Sequence, residues 1–282
     1  MSFNTDSIIT AIGTHRERVA LIAEHGGTVP AAYRKAEQRW DAWTDASNDQ
    51  PLTALTDAYA DGADETTLAT LRAAALIAEV ATPVQLAAVR NSVAPAAHAA
   101  LRAAYAPQAV KNYARVAEQY TAAAQEFTRL AQIIDPETDA RHLVSADEDT
   151  RRAWLEADLI AGKLNTLAPI LADAALLAGT SVKGEPALIG LLTDPKSAHR
   201  RRVYEAWNSN GRCGRWSALI ALDVDLRAAD LDEHRPYREP RPIENRHVRG
   251  NHGFYTVQVD PEDDGADDQL ADGEEYVNIP AV

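Results

Sequence analysis

The stretch "NYARVAEQYTAAAQEFTRLAQIID", residues 112–135, has the clearest periodicity in the chain. Its apolar residues recur in alternating steps of four and three, with large side chains alternating with small ones: Tyr113, Ala117, Tyr120, Ala124, Phe127, Ala131 and Ile134. This heptad-like seam predicts a helix that packs closely along one neighbouring helix. Because adjacent helices normally supply such a partner, we expect the seam to close within the chain rather than between two copies.

The composition around this helix favours further helices. Of the 282 residues, 46% are hydrophobic and 25% are charged, close to the values of ordinary globular proteins. The apolar content depends on alanine, with only three Phe, and alanine combines the best helix propensity with little buried area per residue. The bias towards alanine and arginine resembles that of chains encoded by GC-rich genomes, such as those of actinobacteria and their phages.

Helical patterns precede and follow the seam. Helices are predicted near residues 7–25, 30–43, 51–60 and 64–81 and from residue 83, with a kink at Pro95. After the seam, Ser145 and Glu148 fit a capping box for a long helix, and Asp194 fits the N-cap of another. The sequence therefore predicts a mainly α fold, a multi-helix array or bundle over residues 1–210.

The last third of the chain has a different character. Residues 218–226 fit both a helix and a strand, and we favour a helix because "RAADLDE" continues with helix-forming residues. From residue 234 the prolines argue against regular structure, so residues 211–252 are expected to end in an Arg/Pro-rich extended arm. Residues 253–260 form the best strand pattern, with Tyr255 and Val257 on one face, and "EEYVNI" is a second, shorter strand candidate. Residues 253–282 are thus predicted to hold one or two strands and an acidic loop or tail.

The charge is distributed unevenly along the chain. The formal net charge of -14 divides into -9 for residues 1–194 (16 Lys and Arg, 25 Asp and Glu), +4 for 195–252 (12 and 8) and -9 for 253–282 (0 and 9). The arm, "HRPYREPRPIENRHVRGNH" at residues 234–252, therefore lies beside the most acidic segment.

Three roles remain open for the arm. We favour docking on an acidic surface of a protein partner or of another copy, since proline-rich segments lose little entropy when they bind. Arginine forks also suit phosphate, but a strongly anionic chain is repelled by nucleic acid. The arm could also fold back on its own domain. The candidate partner-binding residues are Arg235, Tyr237, Arg238, Arg241, Arg246 and Arg249 of the arm, with Tyr255 and Val257 of the strand.

The sequence contains little that indicates catalysis. If residues 218–226 formed a strand, Asp223 and Asp225 would point the same way and could bind Mg²⁺ together with His252, as in a metal-dependent nucleic-acid enzyme. No zinc-peptidase, zinc-finger, esterase, P-loop or dinucleotide-binding motif occurs in the chain, and no cofactor is predicted. The single cysteine, Cys213, is expected to be a structural thiol.

The sequence therefore predicts a non-enzymatic structural or interaction protein, a subunit of a multi-subunit assembly that docks through its C-terminal arm. A phage virion or assembly component is one setting suggested by the composition. No signal peptide or membrane-spanning segment is expected, which predicts a cytoplasmic or virion location and no membrane partner.

Overall fold

The computed structural model describes residues 5–45, 50–80, 82–250, 253–263 and 275–277. Helices dominate this part, and strands are confined to short segments after residue 192, so the predicted mainly α fold is confirmed. In chain order the elements are α1 (Thr5–Glu24), α2 (Ala31–Asp45), α3 (Gln50–Ala60), α4 (Glu65–Val80), α5 (Pro83–Ile133), a 3₁₀ helix (Ala140–Leu143), α6 (Glu148–Leu177), α7 (Gly184–Leu192), β1 (Thr193–Asp194), α8 (Arg200–Trp207), α9 (Arg215–Ile220), β2 (Asp225–Leu226), β3 (Glu244–Gly250), β4 (Gly253–Val259) and β5 (Glu275–Val277).

The chain divides by its internal contacts into two units, one up to Tyr113 and one from Ala114. This boundary lies inside α5, which runs through Pro95 and Pro107, and differs from the predicted boundary near residue 210. The residues that follow 210 belong with α6–α8 because they share buried contacts with them. For example, Trp216 donates a hydrogen bond from Nε1 to Asn165 on α6 (2.9 Å).

The first unit has a polar cluster within its buried core. The His15 ring lies 5.9 Å from the rings of both Tyr33 and His98, and 6.1 Å from Tyr105. Asn112 is also buried and donates to the hydroxyl of Tyr105 (2.8 Å). Burial, followed by the charges of His98 and neighbouring arginines, lowers the pKa of His15 to about 4. This imidazole is therefore neutral near neutral pH and acts as a core side chain.

The second unit contains most of the predicted seam. Tyr120, Ala124 and Phe127 are fully buried within the single chain, which confirms that the seam packs within it. The Tyr120 hydroxyl donates to the carbonyl of Leu192 (2.9 Å), and its ring packs edge-on against Trp216. The sequence pattern therefore identified the helix and part of its buried face: Ala117, Ala131 and Ile134 of the seam are only half-buried. The buried face also includes three residues outside the seam, Val116, Ala123 and Leu130.

The N-cap of α6 is Asp147, two residues after the predicted N-cap Ser145. Asp147, and not Ser145, accepts the capping hydrogen bond from Thr150 N (2.8 Å), because a carboxylate directly before the first turn is better placed than the serine. By length and composition α6 could cross a membrane, but one of its faces is buried in the protein, as expected for a core helix. The buried side chains are Ala153, Ala157, Ala161, Leu164, Leu167, Ile170, Leu171, Ala174 and Ala175.

The helix predicted over residues 218–226 is only partly present. α9 ends at Ile220, and the chain turns through Asp223, whose φ is +59°, before the two-residue strand β2. β2 pairs antiparallel with β1, so "RAADLDE" does not extend the helix and the segment does not pair with β4. Asp194 is part of β1 rather than an N-cap, and α8 begins after His199 instead.

The C-terminal sheet contains one strand that the sequence analysis missed. β4 and β5 lie where strands were predicted, and both pair antiparallel with β3 in the order β4-β3-β5. The prediction that the arm lacks regular structure is wrong for β3, because the prolines end at Pro242 and the following residues are free to pair. Among the described residues of the arm, the irregular part is the one before β3, which contains the prolines.

Candidate functional site

The proline-containing part of the arm lies against its own unit. Tyr237 N donates to the carbonyl of Pro186 (2.7 Å), and the Tyr237 ring stacks on Tyr204 with 5.8 Å between centroids. Gly190 permits this approach, because a Cβ at that position would collide with the carbonyl of Arg235. This part of the arm is thus packed on the helices of the second unit.

Arg241 of the arm, and Arg200 and Arg201 of α8, meet carboxylates just after β4. Glu262 accepts hydrogen bonds from the backbone N–H of Arg241 (2.8 Å) and from Arg200 (2.6 Å). Asp260 accepts two hydrogen bonds from Arg201, which lower the pKa of its carboxyl to about 2. These contacts attach the end of β4 to α8 and to the arm, and of the three arginines only Arg241 was a predicted partner-binding residue.

The remaining predicted partner-binding residues are dispersed. Arg235, Tyr237 and Arg238 line a cleft of about 310 Å³, which also includes the buried side chain of His234. Arg246 pairs with Glu244 on the same strand (2.9 Å). Arg249 and Tyr255 are exposed on β3 and β4, and Val257 is half-buried. The register of β3 and β4 nevertheless places Arg246 opposite Val257, with Tyr255 on the same face of the sheet, so the structure brings these three together but places Arg235, Tyr237 and Arg238 at the cleft.

The aspartates proposed for a metal site are bound to a lysine. Lys196 Nζ lies 2.9 Å from Asp225 and 3.6 Å from Asp223. The third candidate ligand, His252, lies outside the described residues. Because β2 is two residues long and pairs with β1, the strand geometry that the metal hypothesis requires is not present.

A second cluster has metal-ligating residue types but is already engaged. His199, Asp260 and Asp263 bring one ligand atom each within 4.8 Å of one another. However, His199 Nδ1 accepts a hydrogen bond from Arg202 N (3.4 Å), and its Nε2 lies 3.0 Å from Asp263. With Asp260 also held by Arg201, the cluster is best explained as part of the ion-pair network at α8.

Cys213 has the surroundings of a structural thiol. The side chain is buried, and burial raises its pKa to about 11. A thiol in this state is protonated at neutral pH and is a poor nucleophile. Because Cys213 is the single cysteine and is unreactive, a cysteine introduced elsewhere in the chain can be labelled selectively.

The α3–α4 hairpin, residues 50–80, exposes several large apolar side chains. Between residues 51 and 80 every side chain is exposed or half-buried. Tyr59, Leu76 and Val80 are exposed by 76%, 60% and 77%. Large apolar side chains scattered singly need no explanation, but a concentration on one element marks an interaction site.

These side chains line a groove between the two helices. The loop at residues 61–64, where Gly62 has a φ of +72°, reverses the chain so that α3 and α4 pack side by side. The groove has a volume of about 730 Å³. Its lining residues, called the hairpin groove below, are Leu55, Thr56, Tyr59, Glu65, Leu68, Ala69, Arg72, Ala73 and Leu76.

The hairpin groove follows one face of each helix. On α4 the lining residues fall at positions 65, 68, 69, 72, 73 and 76, the spacing of a single helical stripe. The periodicity of the sequence predicts both helices but indicates no function for them. The sequence does hold one signal of exposure: α4 is rich in Ala and Leu and contains no aromatic side chain around which a core could pack.

Comparison with protein-family models, curated proteins and solved structures finds no match to this chain.

Proposed function

We propose that this chain is a non-enzymatic interaction protein, a subunit of a multi-subunit assembly that docks a partner protein in the hairpin groove. One observation carries the proposal: none of residues 51–80 is buried, although the hairpin presents apolar stripes at helical spacing. An amphipathic helix gains its stability chiefly by burying its apolar face, so an uncovered hairpin is a docking element that a partner completes.

The proposal moves the docking surface from the arm to the hairpin. Arg241 is engaged by Glu262 and Arg246 by Glu244, so both side chains already have carboxylate partners within the chain. A nucleic-acid adaptor would have to break such pairs, and it would do so against a net charge of -14. The metal-dependent enzyme loses support because Asp223 and Asp225 pair with Lys196.

The mass of the native particle tests this function. Light scattering of the protein isolated from its own cells is expected to give a particle heavier than the 30.6 kDa chain and to contain at least one further protein subunit. A particle of 30.6 kDa at all accessible concentrations would show that the chain works alone and would overturn the proposal.

A further inference from the structure

We propose that the occupant of the hairpin groove is a basic amphipathic helix of a partner protein. This inference rests on the proposed function and adds the chemistry of the partner. It is supported by three properties of the hairpin: the length of its groove, the apolar area that it exposes, and the charge around it.

The groove has the dimensions of a helix. Its stripe on α4 runs from Glu65 to Leu76, which corresponds to about 16 Å along the helix axis. Three turns of a partner helix span the same length. Packing a third helix against α3 and α4 would bury the apolar stripes of all three, which is the ordinary arrangement in a helical bundle.

The exposed apolar area of the hairpin is large enough for a protein partner. Five large apolar side chains are more than half exposed, and together they present several hundred Å². This area is of the same order as the roughly 800 Å² that each partner buries in a standard protein–protein interface, so the charge around the groove, and not the area, distinguishes a helix from a second copy. The five are Leu52, Tyr59, Leu76, Ile77 and Val80.

The net charge of the hairpin indicates the sign of the charge that a partner should carry. Residues 50–80 hold five acidic residues and one basic residue, Arg72, a net charge of -4. Asp57, Asp61 and Asp64 lie at the turn end, and Glu79 lies at the opposite end of α4. The groove lining itself is balanced by Glu65 and Arg72, so the net negative charge lies around its rim. A second copy would bring an equal negative charge to this rim, whereas a helix flanked by Lys and Arg would neutralise it.

The acidic end of the groove stays ionised near neutral pH. Asp64 accepts hydrogen bonds from the backbone N–H and the hydroxyl of Thr67 (2.9 and 2.8 Å), and these bonds lower the pKa of its carboxyl. The carboxylate therefore caps α4 and contributes a fixed negative charge beside the groove.

Two synthetic peptides distinguish the possible occupants. Both have about four helical turns and the same Leu/Ala face, but one carries Lys and the other Glu on its flanks. Fluorescence anisotropy with the full chain is expected to show that the Lys peptide binds about tenfold more tightly at low salt, the effect of a few exposed ion pairs. The difference should shrink at high salt, and Leu76→Asp should abolish binding, whereas Leu159→Asp on α6 should not change it.

Three results would overturn the basic-helix assignment: equal or tighter binding of the Glu peptide, no binding of either peptide, or self-association of the chain that Leu76→Asp prevents. The last result would leave the hairpin as an interface and would identify a second copy as its occupant. Failure of the proposed function itself appears separately, as a native particle with the mass of one chain.

Discussion

The Leu76→Asp variant is expected to lose its assembly partner while keeping its fold. Leu76 is 60% exposed in the isolated chain, so a carboxylate there stays in water and costs little stability. In the docked state the same carboxylate would be buried among apolar side chains without a partner, which costs several kcal/mol. A loss of this size lowers the affinity by a factor of about a thousand.

Leu159→Asp provides the matched control for this variant. Leu159 is also a helical leucine, 73% exposed, but it lies on α6 outside the hairpin. Light scattering should show the native particle with Leu159→Asp and the free chain with Leu76→Asp, and circular dichroism should show the same helix content for both. If both variants assemble normally, the hairpin groove is not the docking surface.

The Trp216→Ala variant is expected to destabilise the second unit by about 3–5 kcal/mol, the range for truncating a buried tryptophan. Trp216 is 1% exposed, and its ring packs edge-on against Tyr120 (6.2 Å) and Trp207 (6.4 Å). Removing the ring would leave a cavity at this aromatic junction and would also break the hydrogen bond to Asn165.

Urea denaturation gives the free energy of unfolding that checks this prediction. Trp216→Phe is the control, because it keeps an aromatic ring and removes the Nε1–H donor, and it should lose only about 1–2 kcal/mol. A loss below about 1 kcal/mol for Trp216→Ala would contradict the central place of this side chain in the core.

Periodicity predicted the helices well because it depends only on neighbours along the chain. Tyr120 and Phe127 were identified as part of the buried face, since steps of three and four place them on one stripe, although the buried face also includes residues outside that stripe, such as Val116. The strand β4 was found for the same reason, from its alternation. β3 was missed because the prolines up to Pro242 argued against a strand there. Its pairing also depends on β4, which follows it in the chain and runs antiparallel to it.

The partners of the charged residues could not be predicted in the same way. The charge distribution correctly suggested that the basic segment meets acidic residues, yet the sequence does not say whether those residues belong to the same chain. Arg201 and Asp260 lie 59 residues apart and meet only because β4 ends beside α8. Exposure is a tertiary property too, so the helical patterns of α3 and α4 could not show that the side chains of residues 51–80 are exposed or half-buried.

Thiol labelling tests the central claim, that a partner covers the hairpin groove, most directly. Cys213 is buried and has a raised pKa, so Leu76→Cys and Leu159→Cys each introduce the single reactive thiol of their chain. Both should react rapidly with a maleimide in the isolated chain. In the native particle, labelling of Leu76→Cys should slow by at least about tenfold while that of Leu159→Cys is unchanged, because burial limits access to a thiol. Equal labelling rates for Leu76→Cys in the isolated chain and in the particle would contradict the account.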